Sequence, residues 1–183
     1  ISDIYITNEG SGYLTAPTIT VTDANTMAGA VLGSGFTAAV TSEFSPSGGN
    51  AWCKYITKVV TLAQDNDSQD LRTFITAYKP IGTEIYVFYK VSSKEDTVAI
   101  QNNNWNLMTR IGTNTFSKSR DNYIDYEYAP GTANKANNSL TYVNSNGTLY
   151  DNFIQYTIKI VLVASDRTTV PHLTNMRTYA LPS

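Results

Sequence analysis

Residues 84–91, Glu84-Ile85-Tyr86-Val87-Phe88-Tyr89-Lys90-Val91, form a nearly unbroken run of β-branched and aromatic side chains. Such side chains pack well on a pleated surface and lose rotamer freedom on a helix. The rest of the chain has to be compatible with that strand, and period-two patterns recur throughout. Asp3–Thr7, Thr18–Thr22 and Phe36–Ser42 read as short strands, with Gly10-Ser11-Gly12 and Gly33-Ser34-Gly35 as turns between them. Cys53–Leu62 alternates over its whole length and reads as one long strand. In that reading Ile56, Val60 and Leu62 share a face with Lys54 and Lys58. Leu71–Tyr78 fits both a helical spacing (Leu71, Phe74, Ile75, Tyr78) and a strand with Leu71, Thr73, Ile75 and Ala77 on one face. The turn residues Pro80 and Gly82, followed by the 84–91 run, favour the strand and predict a hairpin.

Further strands are expected at Tyr123–Tyr128, Leu140–Val143, Tyr156–Ala164 and Met176–Leu181, with Asn144-Ser145-Asn146-Gly147 as a hairpin turn. No stretch requires a helix of three turns. Strands at this spacing indicate an all-β fold: a jelly-roll-like antiparallel β-sandwich preceded by a small β-module. Phe44–Asn50, rich in Ser, Gly and Pro, reads as the linker, giving a Gly/Thr-rich module over 1–45 and a sandwich over 46–183.

Composition narrows the chemistry. Only 15 % of the 183 residues are charged and the net charge is −2, which excludes the clustered Lys and Arg that nucleic acid demands. The surface must be wetted by neutral polar groups, and the chain carries 25 Thr and 17 Asn. One Cys and one His build neither an internal disulfide nor a His/Cys metal cluster. The longest apolar run, Ile158–Ala164, contains Lys159 and is far shorter than the about 20 residues of a membrane-spanning helix. Ile1-Ser2-Asp3 has no initiator Met and no basic leader, so a processed end or a longer parent chain is expected.

Individual constellations are weak. Asp65–Asp70 lacks the Gly and Glu of a calcium loop, having Asp70 and Thr76 at those places, and reads as a solvated turn. Asp125 and Glu127 share a strand face with Tyr123, but side chains two apart on a strand are a by-product of alternation. His172 has no nucleophile elbow to serve and reads as a loop histidine. Cys53 reads as a small buried hydrophobe. Sequons at Asn66, Asn137 and Asn146 are expected by chance in a chain this rich in Asn. No catalytic residue, cofactor or metal ligand is assigned. The 13 Tyr, two Trp and six Phe supply core, interface anchors or sugar-stacking platforms. Among them Tyr123, Tyr126, Tyr128 and Trp105 are the candidates for interface or glycan contact.

Two stretches resemble a known family. Ile4-Tyr5-Ile6-Thr7-Asn8-Glu9-Gly10-Ser11-Gly12-Tyr13-Leu14-Thr15-Ala16-Pro17-Thr18-Ile19-Thr20 is similar to a glycine-rich β-repeat of virion proteins of large contractile-tailed bacteriophages, which also occurs in bacterial surface proteins. Glu9 stands where the repeat usually has a first glycine. Tyr55–Lys58, Leu71-Arg72, Pro80–Val91, Trp105, Phe153–Val163 and Val170–Leu181 resemble segments of baseplate or tail-fibre proteins of the same phages. The resemblance implies a non-catalytic structural subunit of the virion, assembled in the host cytoplasm. Its partners would be other copies of itself, a trimer being common for such parts, and neighbouring virion proteins. The rival expectation is a carbohydrate-binding, lectin-like module on a fibre or bacterial surface.

Overall fold

The computed structural model describes residues 42–49, 51, 53–165 and 168–182. The N-terminal β-module expected over 1–45, with its strands at 3–7, 18–22 and 36–42, lies outside these residues as far as position 41.

Among the described residues there are twelve strands: β1 (Lys54–Ile56), β2 (Val60–Thr61), β3 (Asp70–Tyr78), β4 (Thr83–Ser92), β5 (Asn106–Ile111), β6 (Ile124–Pro130), β7 (Lys135–Ala136), β8 (Ser139–Leu140), β9 (Tyr142–Val143), β10 (Leu149–Tyr150), β11 (Gln155–Ala164) and β12 (His172–Leu181). Among the described residues, helical structure is confined to two 3₁₀ turns, Ile100–Asn102 and Thr132–Asn134. The all-β antiparallel fold expected from the sequence is built on an eight-stranded sheet curled into a half-barrel, consistent with a sandwich, with β9–β10 and β7–β8 as separate two-stranded ladders. Its strand order is β1-β11-β4-β5-β6-β3-β12, with β2 also paired to β11. The corner is β5. Its first residues, Asn106 and Leu107, pair with β4, and Met108–Ile111 pair with β6. A strand that passes from one half of a sheet to the other is a standard way to turn such a corner.

Alternation explains the interior. Leu71, Thr73, Ile75 and Ala77 of β3 are buried and the residues between them are half-buried, so the strand reading of this segment holds and the helical one does not. Opposite them stand Ile85, Val87 and Tyr89 of β4 and Ile158 and Ile160 of β11. From Val87 onward β4 is buried at every position, because its outer face is covered too. Phe88 and Val161 carry a second small core with Ala51, against which Trp105 packs.

The expected hairpin between the strands around Pro80 and Gly82 is corrected: β3 pairs with β6 and β12, while β4 pairs with β11 and β5. Both strands have apolar inward faces, so the turn carries the chain across the core instead of folding it back on itself. Gly82 sits at φ +83°, and a β-carbon there would lie 2.7 Å from Ser165 Oγ, so the arch requires glycine.

Cys53–Leu62 is likewise two short strands, not one. Between the pairs Ile56↔Lys159 and Val60↔Tyr156, three residues (57–59) oppose two (157–158), a β-bulge. Thr57 organises it: its hydroxyl accepts from the Ile158 amide, while its amide donates to the Ile158 carbonyl. A one-residue slip inverts every later side chain. Val60 and Leu62 therefore stand on the inner side while Ile56, paired with Lys159, stands on the outer. Cys53, expected to be buried, is exposed at the free edge. The turn after Val143 forms as expected, with Gly147 at φ +85° and Asn144 Oδ1 accepting from the amides of Asn146 and Thr148. His172 is not in a loop; it opens β12, its ring 6.0 Å from that of Tyr78.

Candidate functional site

The curl brings the two ends of the sheet towards each other without joining them. β1 and β12 are the terminal strands of the ladder, and between them runs an open groove of about 590 Å³. Ile160, Leu162, Leu173 and Met176 make it largely apolar, with Cys53 and Tyr55 on the β1 side. The Leu162 amide donates to the Cys53 carbonyl and the Thr57 amide to the Ile158 carbonyl. By the alternation of an antiparallel ladder, the backbone groups of Lys54 and Ile56 then point away from β11, towards the free edge. Among the described residues no strand pairs with that edge or with the outer edge of β12.

Above the outer face of β4 and β11, residues 42–49 and 51 fold down as a cover, where the sequence led us to expect a linker. Glu43 is 0 % exposed; its Oε2 lies 3.1 Å from Lys159 Nζ, and its Oε1 accepts from the Ala51 amide at 2.5 Å. Lys159, 2 % exposed, lies 4.2 Å from the centre of the Phe88 ring and 5.1 Å from that of Trp105. Phe44 packs edge-on against Tyr86, and the Trp105 amide donates to the Pro46 carbonyl at 2.7 Å. Burial opposes the Glu43 charge, but the Ala51 amide and the Lys159 ammonium outweigh it and hold the carboxyl below its ordinary value. Burial pulls Lys159 below the usual lysine value against the attraction of Glu43.

A second enclosed lysine sits at the end of β3. Lys79 has no exposed surface, and its Nζ lies 2.6 Å from Asn114 Oδ1, 3.1 Å from Glu84 Oε1 and 4.2 Å from the centre of the Phe116 ring. Arg110 Nη1 donates to the same Glu84 oxygen at 2.9 Å. A third polar centre is Asp96. It accepts from the Tyr142 hydroxyl, the side-chain amides of Asn144 and Asn103, and the Val98 amide, stitching the loop after β4 to the β9–β10 hairpin. Burial opposes its charge, and those donors together hold it below the ordinary aspartate value.

The sequence candidates scatter. Tyr126 and Tyr128 point into the core, 3 % and 2 % exposed, and donate to the carbonyls of Thr115 and Ile85; neither presents a surface to a glycan or a partner. Trp105 is half-buried, pinning the cover over Lys90 and Lys159. Tyr123 alone of the four is exposed, just before β6. Asp125 and Glu127 are each taken by a different arginine, Arg177 and Arg72, both at 2.8 Å. The Thr76 hydroxyl and Arg177 hold Asp125 below the usual carboxylate range. Asp70 is bound to Lys135 at 2.7 Å. Among the described residues no three His, Cys, Asp or Glu side chains gather as a metal site.

Sequence reasoning missed Lys79, Lys159, Glu43 and Asp96. A signal existed for Lys79, which continues the inward parity of 71, 73, 75 and 77. For Lys159 it did not, because the layer that buries it comes from residues over a hundred positions away. Comparison with protein-family models, with curated proteins and with solved structures finds no match.

Proposed function

We propose that this chain is a structural subunit of a phage virion, in the tail, baseplate or fibre, and that it works through protein–protein assembly, with no catalysis. The observation that carries the reading is the apolar groove bounded by two sheet edges that pair with no strand among the described residues. An exposed edge strand is a template for another chain unless it is shortened, charged or covered. β12 is ten residues long, and Arg177 and the terminal His172 are its only basic residues. An added strand would gain main-chain hydrogen bonds from the edge and side-chain burial from the groove. The low charge density fits broad neutral contacts better than electrostatic steering. The carbohydrate-binding alternative needs exposed aromatic platforms, and of its four candidates only Tyr123 stands free.

Hydrogen exchange at the amides of Lys54 and Ile56 tests this reading. Assembly through the β1 edge gives protection that grows with protein concentration and falls when exposed Asn175 is changed to Lys at the groove. Exchange as fast as in an unstructured peptide at every concentration contradicts it. A loss of glycan binding on Tyr123→Ala would favour the alternative.

A further inference from the structure

We propose that Lys79 and Asn114 become joined by an amide cross-link that the folded chain forms on itself, releasing ammonia. The buried Lys79 amine has one more polar partner than its charge requires. A buried lysine needs an anionic partner, and Glu84 at 3.1 Å already supplies one. The side-chain amide adds something else: Nζ donates to Asn114 Oδ1 at 2.6 Å, which polarises that carbonyl. Since Cγ is one carbonyl bond from Oδ1, it lies within about 3.8 Å of Nζ. That is close to the separation at which an enclosed nucleophile and its target react rapidly.

The two partners are also held. The Lys79 amide donates to Ser117 Oγ at 2.9 Å, and the Ser117 amide donates back to the Lys79 carbonyl at 2.8 Å. The Tyr126 hydroxyl fixes the Thr115 carbonyl from the core side. The loop is thus anchored on the C-terminal side of Asn114, which is itself exposed while its oxygen reaches the buried Lys79 amine. Arg110 holds Glu84 Oε1 in place at 2.9 Å. Burial, with the positive charge of Arg110, pulls Lys79 below the ordinary lysine value against the pull of Glu84, which enlarges the share of neutral amine.

The step balances without a co-reactant. Glu84 accepts a proton from the Lys79 ammonium, and the freed lone pair on Nζ attacks Cγ. The new C–N bond pushes the carbonyl pair onto Oδ1. Glu84 hands that first proton to Asn114 Nδ2 and takes a second from Nζ. The carbonyl re-forms, the Cγ–Nδ2 bond breaks, and its electron pair departs with ammonia. Glu84 then gives the second proton to the departing ammonia, so one ammonium ion is lost in all, the carboxylate is restored, and no atom is oxidised or reduced. The product ties the β5–β6 loop covalently to the end of β3.

Intact mass of the denatured full chain is the test. The expected mass is about 17 Da below that of the sequence, the weight of one ammonia, and tandem fragmentation should find the Lys79 and Asn114 peptides linked. Asn114→Ala and Lys79→Met should run at their full sequence masses. Glu84→Gln should slow the loss by about 100-fold or more, the usual cost of removing a proton shuttle. A wild-type chain still at its sequence mass after prolonged incubation overturns the proposal. So does a 17 Da loss that maps to Asn146-Gly147, where a succinimide would give the same mass change.

Discussion

Changing Glu43 to Gln removes one charge from the buried pair under the cover while leaving an oxygen for the Ala51 amide. It therefore isolates the electrostatic part of that contact. At 3.1 Å the attraction between Glu43 and Lys159 is about 5 kcal/mol for an effective dielectric near 20, a gross value that desolvation of both ions largely offsets. The loss on breaking it is not offset, because Lys159 stays 2 % exposed with no counter-ion and with the Lys90 ammonium on the same Trp105 ring. Stranding one member of a buried pair costs about 3–5 kcal/mol. With a urea slope of about 2–3 kcal/mol/M, the unfolding midpoint should fall by about 1–2.5 M. Adding Lys159→Met should recover most of that loss, since the thioether chain needs no counter-ion between the Phe88 and Trp105 rings. The pH dependence has a definite sign. Lys159 is pulled down by burial, so the unfolded chain binds more protons than the folded one between the two lysine values, and stability rises with pH there. Glu43→Gln should therefore regain stability as pH rises towards the lysine range. A midpoint shift below about 0.3 M, or single-variant effects that add within about 0.5 kcal/mol in the double variant, would refute the reasoning.

Asp96→Asn should cost about 2–3 kcal/mol in chemical denaturation, because four donors converge on that carboxylate and an amide turns one acceptor into a donor. Asp96 is held below its ordinary value in the fold, so its contribution is present above the usual aspartate range and is lost as pH falls through the folded value. That acid-side loss, read by thermal melting, should be missing in the variant. Trp105→Ala should cost about 3–5 kcal/mol and open residues 42–49 to limited proteolysis, since the ring packs against Gly48 and over the Lys90 and Lys159 ammonium groups. Unchanged cleavage there would show that the ring does not hold the cover.

Where side-chain parity and backbone chemistry agree, the fold was legible. The β3, β4, β6 and β11 strands follow from alternation and β-branched content, and the β9–β10 turn follows from Asn144–Gly147. What stayed hidden was non-local. Nothing in Lys79–Thr83 tells a hairpin from an arch, because both use the same turn residues and differ only in which partner each strand finds. The bulge at 57–59 inverts half of an apparently continuous strand and is set by Thr57 binding to β11. β5 escaped notice because Asn106-Leu107-Met108-Thr109-Arg110-Ile111 has little alternation, as suits a corner strand with a different neighbour at each end. Two of the four aromatic candidates are buried for a related reason: Tyr126 and Tyr128 have the right parity for a surface or a core, and the curl of the sheet turned that face inward. The groove was beyond reach, since it exists only once β1 and β12 have been brought round to face each other.

Sedimentation velocity on the full chain over a wide concentration range bears most directly on assembly. A stable multimer, reduced to smaller species by Asn175→Lys with the fold intact by circular dichroism, is the expected result. A particle of 20.1 kDa at every concentration, unchanged by that substitution, would contradict self-assembly through the open edges.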